Sequence, residues 1–327
     1  MTVRTGHLEP PAWSGRDDGP GAEHARWHTA VQPYAAVHEG ADAVPGVVLV
    51  GFASDAGVRR NDGRPGQVDG PDALRAALGP LALAAPLTAY DAGTLRVEGD
   101  ALEEGQERLG EILRSVIDAG HLPIGLGGGH EIAYGSYLGI ADTALRDARP
   151  RLGVLNLDAH FDLRRAPRAS SGTPFLQALE RERALGRPID YAVLGISEPS
   201  NTRALFDTAA HHGVRHLLDD DCRTAASVDA FLDGFLDAID VLYLTIDLDV
   251  LPAWIAPGVS APASFGVPLE IVQHVCDRVS ASGKLALVDV AELNPAFDID
   301  RRTARVAARL IHRIAVRRVP LTAPGAA

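Results

Sequence analysis

The 327-residue chain reads as an α/β protein, a three-layer sandwich with a mostly parallel sheet and helices on both of its faces. Two observations predict this. Short runs such as 47–52, 152–157 and 241–246 are almost wholly apolar, as strands are when both faces of a parallel sheet are covered. These runs alternate with segments of helical spacing, the pattern of repeated βαβ units. A composition that is 46% hydrophobic and 23% charged supplies a full core, for either one large domain or two smaller ones.

Residues 1–40 are rich in Pro, Gly, Asp and His and show no clean period. They are expected to form an irregular N-terminal arm, docked in part through Trp13 and Trp27. A buried strand is expected over 47–52, and Gly70-Pro71-Asp72 opens a helix that runs through Leu78. Residues 88–91 read as a short strand, and 102–117 as a helix ended by Gly120. The next strand is 121–126, after which the chain turns helical beyond His130. A strand over 152–157, a helix over 174–185, a strand over 191–196 and a helix near 202–212 follow. A helix near 227–239 leads into the strand 241–246, and a helix over 268–279 into the strand 285–290. Residues 303–314 form the closing helix. No internal repeat or low-complexity linker interrupts this order. Residues 41–320 are therefore expected to be a single domain, with 321–327 as a C-terminal tail.

The net charge of -12 argues against nucleic acid as a partner. Lys284 is the only lysine beside many arginines, a bias we read as genome composition. Two cysteines, Cys222 and Cys276, give no disulfide framework, and Cys276 sits in an apolar helical pattern as a packed residue does. The N-terminus lacks the charged-then-apolar pattern of a signal peptide, and no stretch approaches the ~20 apolar residues of a membrane span. These features point to a reducing cytoplasm.

Chemistry concentrates at three strand ends. His130 closes Gly127-Gly128-Gly129-His130-Glu131, Asp158-Ala159-His160-Phe161-Asp162 follows one apolar run, and Asp247-Leu248-Asp249 follows another. Ligand sites of open α/β sheets lie beyond the carboxyl ends of the strands. Residues two apart on an extended chain share a face, which would let Asp158, His160 and Asp162 converge, and Asp247 with Asp249. An isolated Asp-x-Asp caps a helix as readily as it binds a cation, and a glycine run before a His is often only a tight turn. Three ionisable groups on one strand face, however, are costly to bury without a cation. Carboxylates and imidazoles without a thiolate favour Mn²⁺ over structural Zn²⁺. Two ions ~3.5–4 Å apart lower the pKa of a shared water from ~15.7 toward ~7, so no protein nucleophile is needed. No Ser-His-Asp or Cys-His signature is present.

Taken as a set, these motifs resemble the arginase/agmatinase (ureohydrolase) superfamily. Its signatures are Gly-Gly-x-His, Asp-Ala-His-x-Asp and an acidic Asp-x-Asp strand end before a Pro/Gly-rich loop, here reaching Pro257-Gly258. The similarity runs from about Val47 to Ile314. It implies an arginase-like fold and two Mn²⁺ per chain. His130, Asp158, Asp162 and Asp247 would hold one ion; Asp158, His160, Asp247 and Asp249 would hold the other. Asp162 would also manage the proton of the attacking water. Glu292, in Asp289-Val290-Ala291-Glu292-Leu293-Asn294-Pro295, matches the glutamate that faces the substrate's amidine or guanidine nitrogens.

Within the superfamily, several segments resemble the branch that hydrolyses N-formimino-L-glutamate in histidine degradation. They are Trp13-Ser14-Gly15-Arg16-Asp17, the stretch from Gly57 to Arg64, Asp162-Leu163-Arg164, Ser170-Ser171-Gly172-Thr173-Pro174-Phe175, and the loop from Ala256 to Pro262. The resemblance implies hydrolysis of a linear amidine C–N bond to L-glutamate and formamide. Ser171 stands where arginase has a proton-shuttling His, which argues against arginase proper. The substrate's two carboxylates call for arginines, and Arg60, Arg64, Arg164 and Arg168 lie in suitable segments. Arg60, Asn61, Arg64, Arg164 and Ser171 are the substrate-binding candidates. The expected partners are a small-molecule substrate and further copies of the chain, with no nucleic acid and no membrane. The rival readings are an agmatinase or other guanidino-acid ureohydrolase releasing urea, and a non-catalytic binding scaffold.

Overall fold

In the computed structural model, which describes residues 8–34 and 44–321, nine strands form one sheet and every pairing is parallel. In chain order they are β1 (Val31–Pro33), β2 (Val47–Ala53), β3 (Ala89–Arg96), β4 (Leu122–Leu126), β5 (Leu152–Leu157), β6 (Asp190–Ile196), β7 (Arg215–Leu218), β8 (Val241–Asp247) and β9 (Leu285–Ala291). Their order across the sheet is β1-β3-β2-β4-β9-β8-β5-β6-β7. The expected tail lies, but for Leu321, outside the described residues, as does part of the arm.

Alternation along each strand feeds two cores. Val47 and Leu49 of β2 join one apolar cluster, while Val48, Val50 and Phe52 join the other. The first cluster is closed by the helices Gly70–Leu78, Ala225–Leu236, Leu269–Ala281 and Arg302–Arg317. The second is closed by Leu102–Asp118, Ile132–Ala141 and Pro174–Ala184. Both faces are dry, which is why the inner strands carry almost no polar residues. Among the described residues no helix is long and apolar enough to cross a membrane.

Three strands differ from the sequence expectation. The arm contributes β1, an edge strand paired with β3 through Val31 and Ala89. It is three residues long and contains Pro33, too short and too polar to announce itself. The expected strand at 88–91 extends through Arg96, with a register shift against β2 between Leu49 and Gly51. Residues 215–218 form the opposite edge strand; their half-exposed side chains hid the apolar signal.

The arm docks through polar as well as apolar contacts. Trp27 is fully buried, and Trp13 donates its indole N–H to Asp91 Oδ2 at 2.9 Å. Asp91 also receives a two-pronged contact from Arg75, Nε to Oδ2 and Nη2 to Oδ1, each 2.8 Å. Both side chains of that ion pair are buried. Removing one partner strands the other charge in the interior. Arg75→Leu is therefore expected to cost about 3–5 kcal/mol of folding stability, read as a shift in the urea unfolding midpoint at unchanged slope.

Candidate metal centre

Four adjacent strands, β4, β9, β8 and β5, end on the same edge of the sheet and carry the site. Beyond β4, the glycine turn brings in His130. Its tightness is obligatory: a Cβ on Gly128 would lie 1.9 Å from Ser54 O, and one on Gly129 would lie 2.1 Å from Glu131 Oε2. Beyond β9 stands Glu292, beyond β8 Asp249, and beyond β5 Asp158, His160 and Asp162. Asp247 is the last residue of β8 itself.

The six candidate ligands come together, by a route other than strand alternation. The backbone after Leu157 is not extended, and Asp162 adopts a left-handed conformation at φ 51°. Asp158 curls the chain by accepting the His160 N–H at Oδ1, 2.6 Å away. Asp249 sits in the 3₁₀ turn Leu248–Val250, where its own N–H bonds Asp247 Oδ1 at 2.8 Å. Side-chain-to-backbone turns of this kind are what short acidic residues do readily.

Two compact triads result, His130/Asp158/Asp162 and Asp158/His160/Asp249, sharing Asp158; the ligand atoms within each lie within 4.8 Å of one another. His130 Nδ1 faces Asp158 Oδ2 at 3.1 Å, Asp162 Oδ2 at 2.9 Å and Asp247 Oδ2 at 3.1 Å. His160 Nδ1 faces Asp249 Oδ2 at 3.0 Å. None of the three oxygens meets His130 Nδ1 in hydrogen-bonding geometry, so this buried nitrogen has no such partner among the described residues. Donor atoms that point at common space, rather than at each other, are the arrangement a cation fits.

The far side of His130 supports the same conclusion. Asp289 accepts from Tyr243 Oη and Thr245 Oγ1, each at 2.5 Å. With its proton committed to Asp289, Thr245 Oγ1 can only accept from His130 Nε2, 2.9 Å away. That assigns a proton to Nε2 and makes Nδ1, which faces the carboxylates, the nitrogen that would offer its lone pair to a cation. Asp158 is braced in turn by Asn156 Nδ2 at 2.9 Å, and Asn201 clamps the following loop through Phe161 N and Ala159 O.

The protein's own charges leave this cluster poorly balanced. Burial disfavours charge on His130 and His160, yet the surrounding aspartates outweigh it and hold both imidazoles well above their usual pKa. Burial, with Asp158 beside it, raises Asp162 to about 6. Burial and the neighbouring aspartates push Asp247 well above the usual carboxylate range, and burial raises Asp249. Divalent cations would remove these protons and neutralise the excess negative charge.

The cluster floors a cavity of about 300 Å³ that Asn61, Arg64, Arg164, Ser171 and Glu292 also line. Glu292 is held at φ 70° and is buried; burial, then the charge of Glu131, raises its pKa to about 8. The arginines separate sharply. Arg60 does not line the cavity: its guanidinium bonds Asp100, Glu103 and Ala169 O. Arg168 pairs with Asp100 at 2.7 Å. Arg64 reaches the cavity but spends donors on Ser260 O at 2.8 Å and Val259 O at 2.7 Å. Arg164 also lines the cavity, and no ion-pair or hydrogen-bond partner of its guanidinium occurs among the described residues. Gly172 makes room for it, since a Cβ there would lie 2.8 Å from Arg164 Cδ and 3.3 Å from Asn61 Nδ2.

Sequence reasoning missed the supporting residues. Asn156, Thr245 and Asp289 had a usable signal, being polar residues inside otherwise apolar strands, where burial is costly without partners. Gln67, which donates to Glu292 Oε2 at 2.9 Å, opens the short 3₁₀ turn Gln67–Asp69 and had none. Thr245→Val keeps the shape of the residue but removes the acceptor for His130. It is expected to weaken divalent-cation binding by about 10–100-fold, measured by calorimetric titration of the metal-free protein.

Comparison with known proteins agrees with this geometry. Residues 45–316 match the model of the Arginase family. The formimidoylglutamase of Nocardia farcinica is 64% identical over 96% of this chain and 98% of its own length. That of Rhodococcus jostii is 60% identical over 96% of this chain and 98% of its own. Trypanosoma cruzi formiminoglutamase with Mn²⁺ superposes with a TM-score of 0.74 at 28% identity, over 83% of this chain and 92% of that one. With the matching motifs gathered on one edge of an all-parallel sheet, the chain belongs to the arginase family.

Proposed function

We propose that this chain hydrolyses the linear amidine of N-formimino-L-glutamate to L-glutamate and formamide, with two Mn²⁺ ions on the His/Asp cluster. The observation that carries the acidic substrate is Arg164, a guanidinium at the wall of the cavity with no protein partner among the described residues. A forked cation suits a carboxylate, whereas a cationic substrate such as agmatine would be repelled. The formimidoylglutamase relatives at 60–64% identity support the same choice.

His130, Asp158, Asp162 and Asp247 would hold one ion, and Asp158, His160, Asp247 and Asp249 the other. Oxygen and imidazole donors without thiolate suit manganese. Bound there, a divalent pair lowers the pKa of water and stabilises developing negative charge. The chain's own side chains do the remaining work. Glu292 accepts from His130 N at 2.9 Å and from Gln67 Nε2, which leaves carboxylate lone pairs for the amidine N–H groups. Asp162 takes a proton from the attacking water as its oxygen bonds to the amidine carbon. The bond from that carbon to the glutamate nitrogen then breaks, and the proton ends on that nitrogen. Arg164, Asn61 and Ser171 hold the substrate's carboxylates, with Arg64 fixing the loop that carries Ser260. Arg60 serves to tie the short helix that it ends, Ala56–Arg60, to Asp100 and Glu103.

The catalytic unit in this reading is one domain, residues 41–320. A homo-oligomer in the cytoplasm completes it, in keeping with two buried, unpaired cysteines.

Manganese-loaded protein offered N-formimino-L-glutamate, agmatine and 4-guanidinobutyrate in turn is expected to release formamide from the first and no urea from the others. Urea from a guanidino compound, with no formamide, would overturn the proposal. Arg164→Met is expected to raise KM for N-formimino-L-glutamate about 10–100-fold, the range for a lost hydrogen bond to a charged group, with kcat changed less than about threefold in steady-state assays.

A further inference from the structure

We infer that Gln67 is a positioning residue for this reaction: its buried amide and the His130 backbone N–H together lock the Glu292 carboxylate in the orientation that meets the amidine. The inference rests on the reading of Glu292 given above.

Glu292 needs such a lock. A non-glycine residue at φ 70° is in the left-handed region and persists only where its surroundings over-determine it. Its backbone N–H is fixed on Gly128 O at 2.8 Å. Each of its carboxylate oxygens takes one donor: Oε1 from His130 N and Oε2 from Gln67 Nε2, both at 2.9 Å. The backbone donor comes with the glycine turn and is invariant to side-chain change. Gln67 is the other half of the fixture, and it reaches from 225 positions away in the chain.

The loop that delivers Gln67 is itself fastened to the segment after Glu292. Asn294 Nδ2 bonds both Arg64 O and Pro65 O at 3.1 Å. Gly66, at φ 135°, lets the chain pass so close that a Cβ would lie 2.5 Å from Asn294 Oδ1. Gln67 is fully buried at the end of this passage.

The amide is also only half satisfied. Gln67 Oε1 is buried and has no hydrogen-bond partner among the described residues. Leaving a buried acceptor unpaired costs stability, so an apolar side chain of similar length would suit the fold better at this place. What an apolar side chain lacks is the donor to Glu292. The stability is given up for the orientation of that one carboxylate.

The test is Gln67→Met, unbranched and close in shape, with Gln67→Leu in reserve should it fail to fold. Each is made alone and in a Glu292→Gln background. Alone, the substitution is expected to lower kcat about 10–100-fold, with KM within about twofold. Manganese content should be unchanged and Tm equal or higher. In the Glu292→Gln background the same change should alter the residual rate less than about twofold, since the carboxylate it positions is gone. Where that background has no measurable rate, a crystal structure of Gln67→Met decides, with a Glu292 carboxylate rotated off His130 N as the expected result. A kcat within twofold of wild type, an equal loss in both backgrounds, an unmoved carboxylate, or a loss matched by falling Tm or metal content would overturn the inference. Wild-type turnover by Glu292→Gln alone would instead remove the role given to Glu292.

Discussion

Four aspartates and two histidines are packed together at the carboxyl edge of a sheet whose interior is dry on both faces. Negative charge at that density is unfavourable in a protein interior unless something positive is set among it. The imidazoles supply part of that charge when they hold protons, and divalent cations would supply it better. Much of the architecture serves this one constraint. Parallel strands bring distant segments to a common edge, and the order β4-β9-β8-β5 puts the ligand-bearing ends side by side.

Rigidity around the cluster comes from residues that are not themselves candidate ligands. Asp289, Tyr243 and Thr245 set the tautomer of His130 from within β8 and β9. Asn156 and Asn201 fix the Asp158 loop from β5 and from the segment after β6. Two residues of the site, Asp162 and Glu292, adopt left-handed backbone conformations that ordinary side chains avoid. Such strain is tolerable because neighbouring hydrogen bonds leave the backbone little choice, and it aims both carboxylates into the cavity.

On the substrate side, what matters is which cations remain uncommitted. A guanidinium has five donors, and the protein's own carboxylates and carbonyls compete for them. Arg60 loses that competition to Asp100 and Glu103, and Arg64 gives donors to the loop at Val259 and Ser260. Arg164 keeps its donors beside Asn61, in a space that Gly172 leaves open.

The sequence by itself determined the alternating strands and helices, the parallel sheet buried on both faces, and the residues of the polar cluster. These are local signals: runs of apolar residues report burial, and acidic and His residues bunched at the ends of those runs report a cost that only a shared site can offset. It misjudged how the aspartates converge, because extended geometry was assumed where Asp158 and Asp247 instead curl the backbone through their own side chains. It gave no sign of the edge strands, which bury too little to need apolar residues. Only the tertiary structure decided which arginine is left for a substrate and that Gln67 backs Glu292. Both depend on which groups far apart in the chain compete for the same donor, and hydrogen bonds across 225 positions leave no period in a sequence.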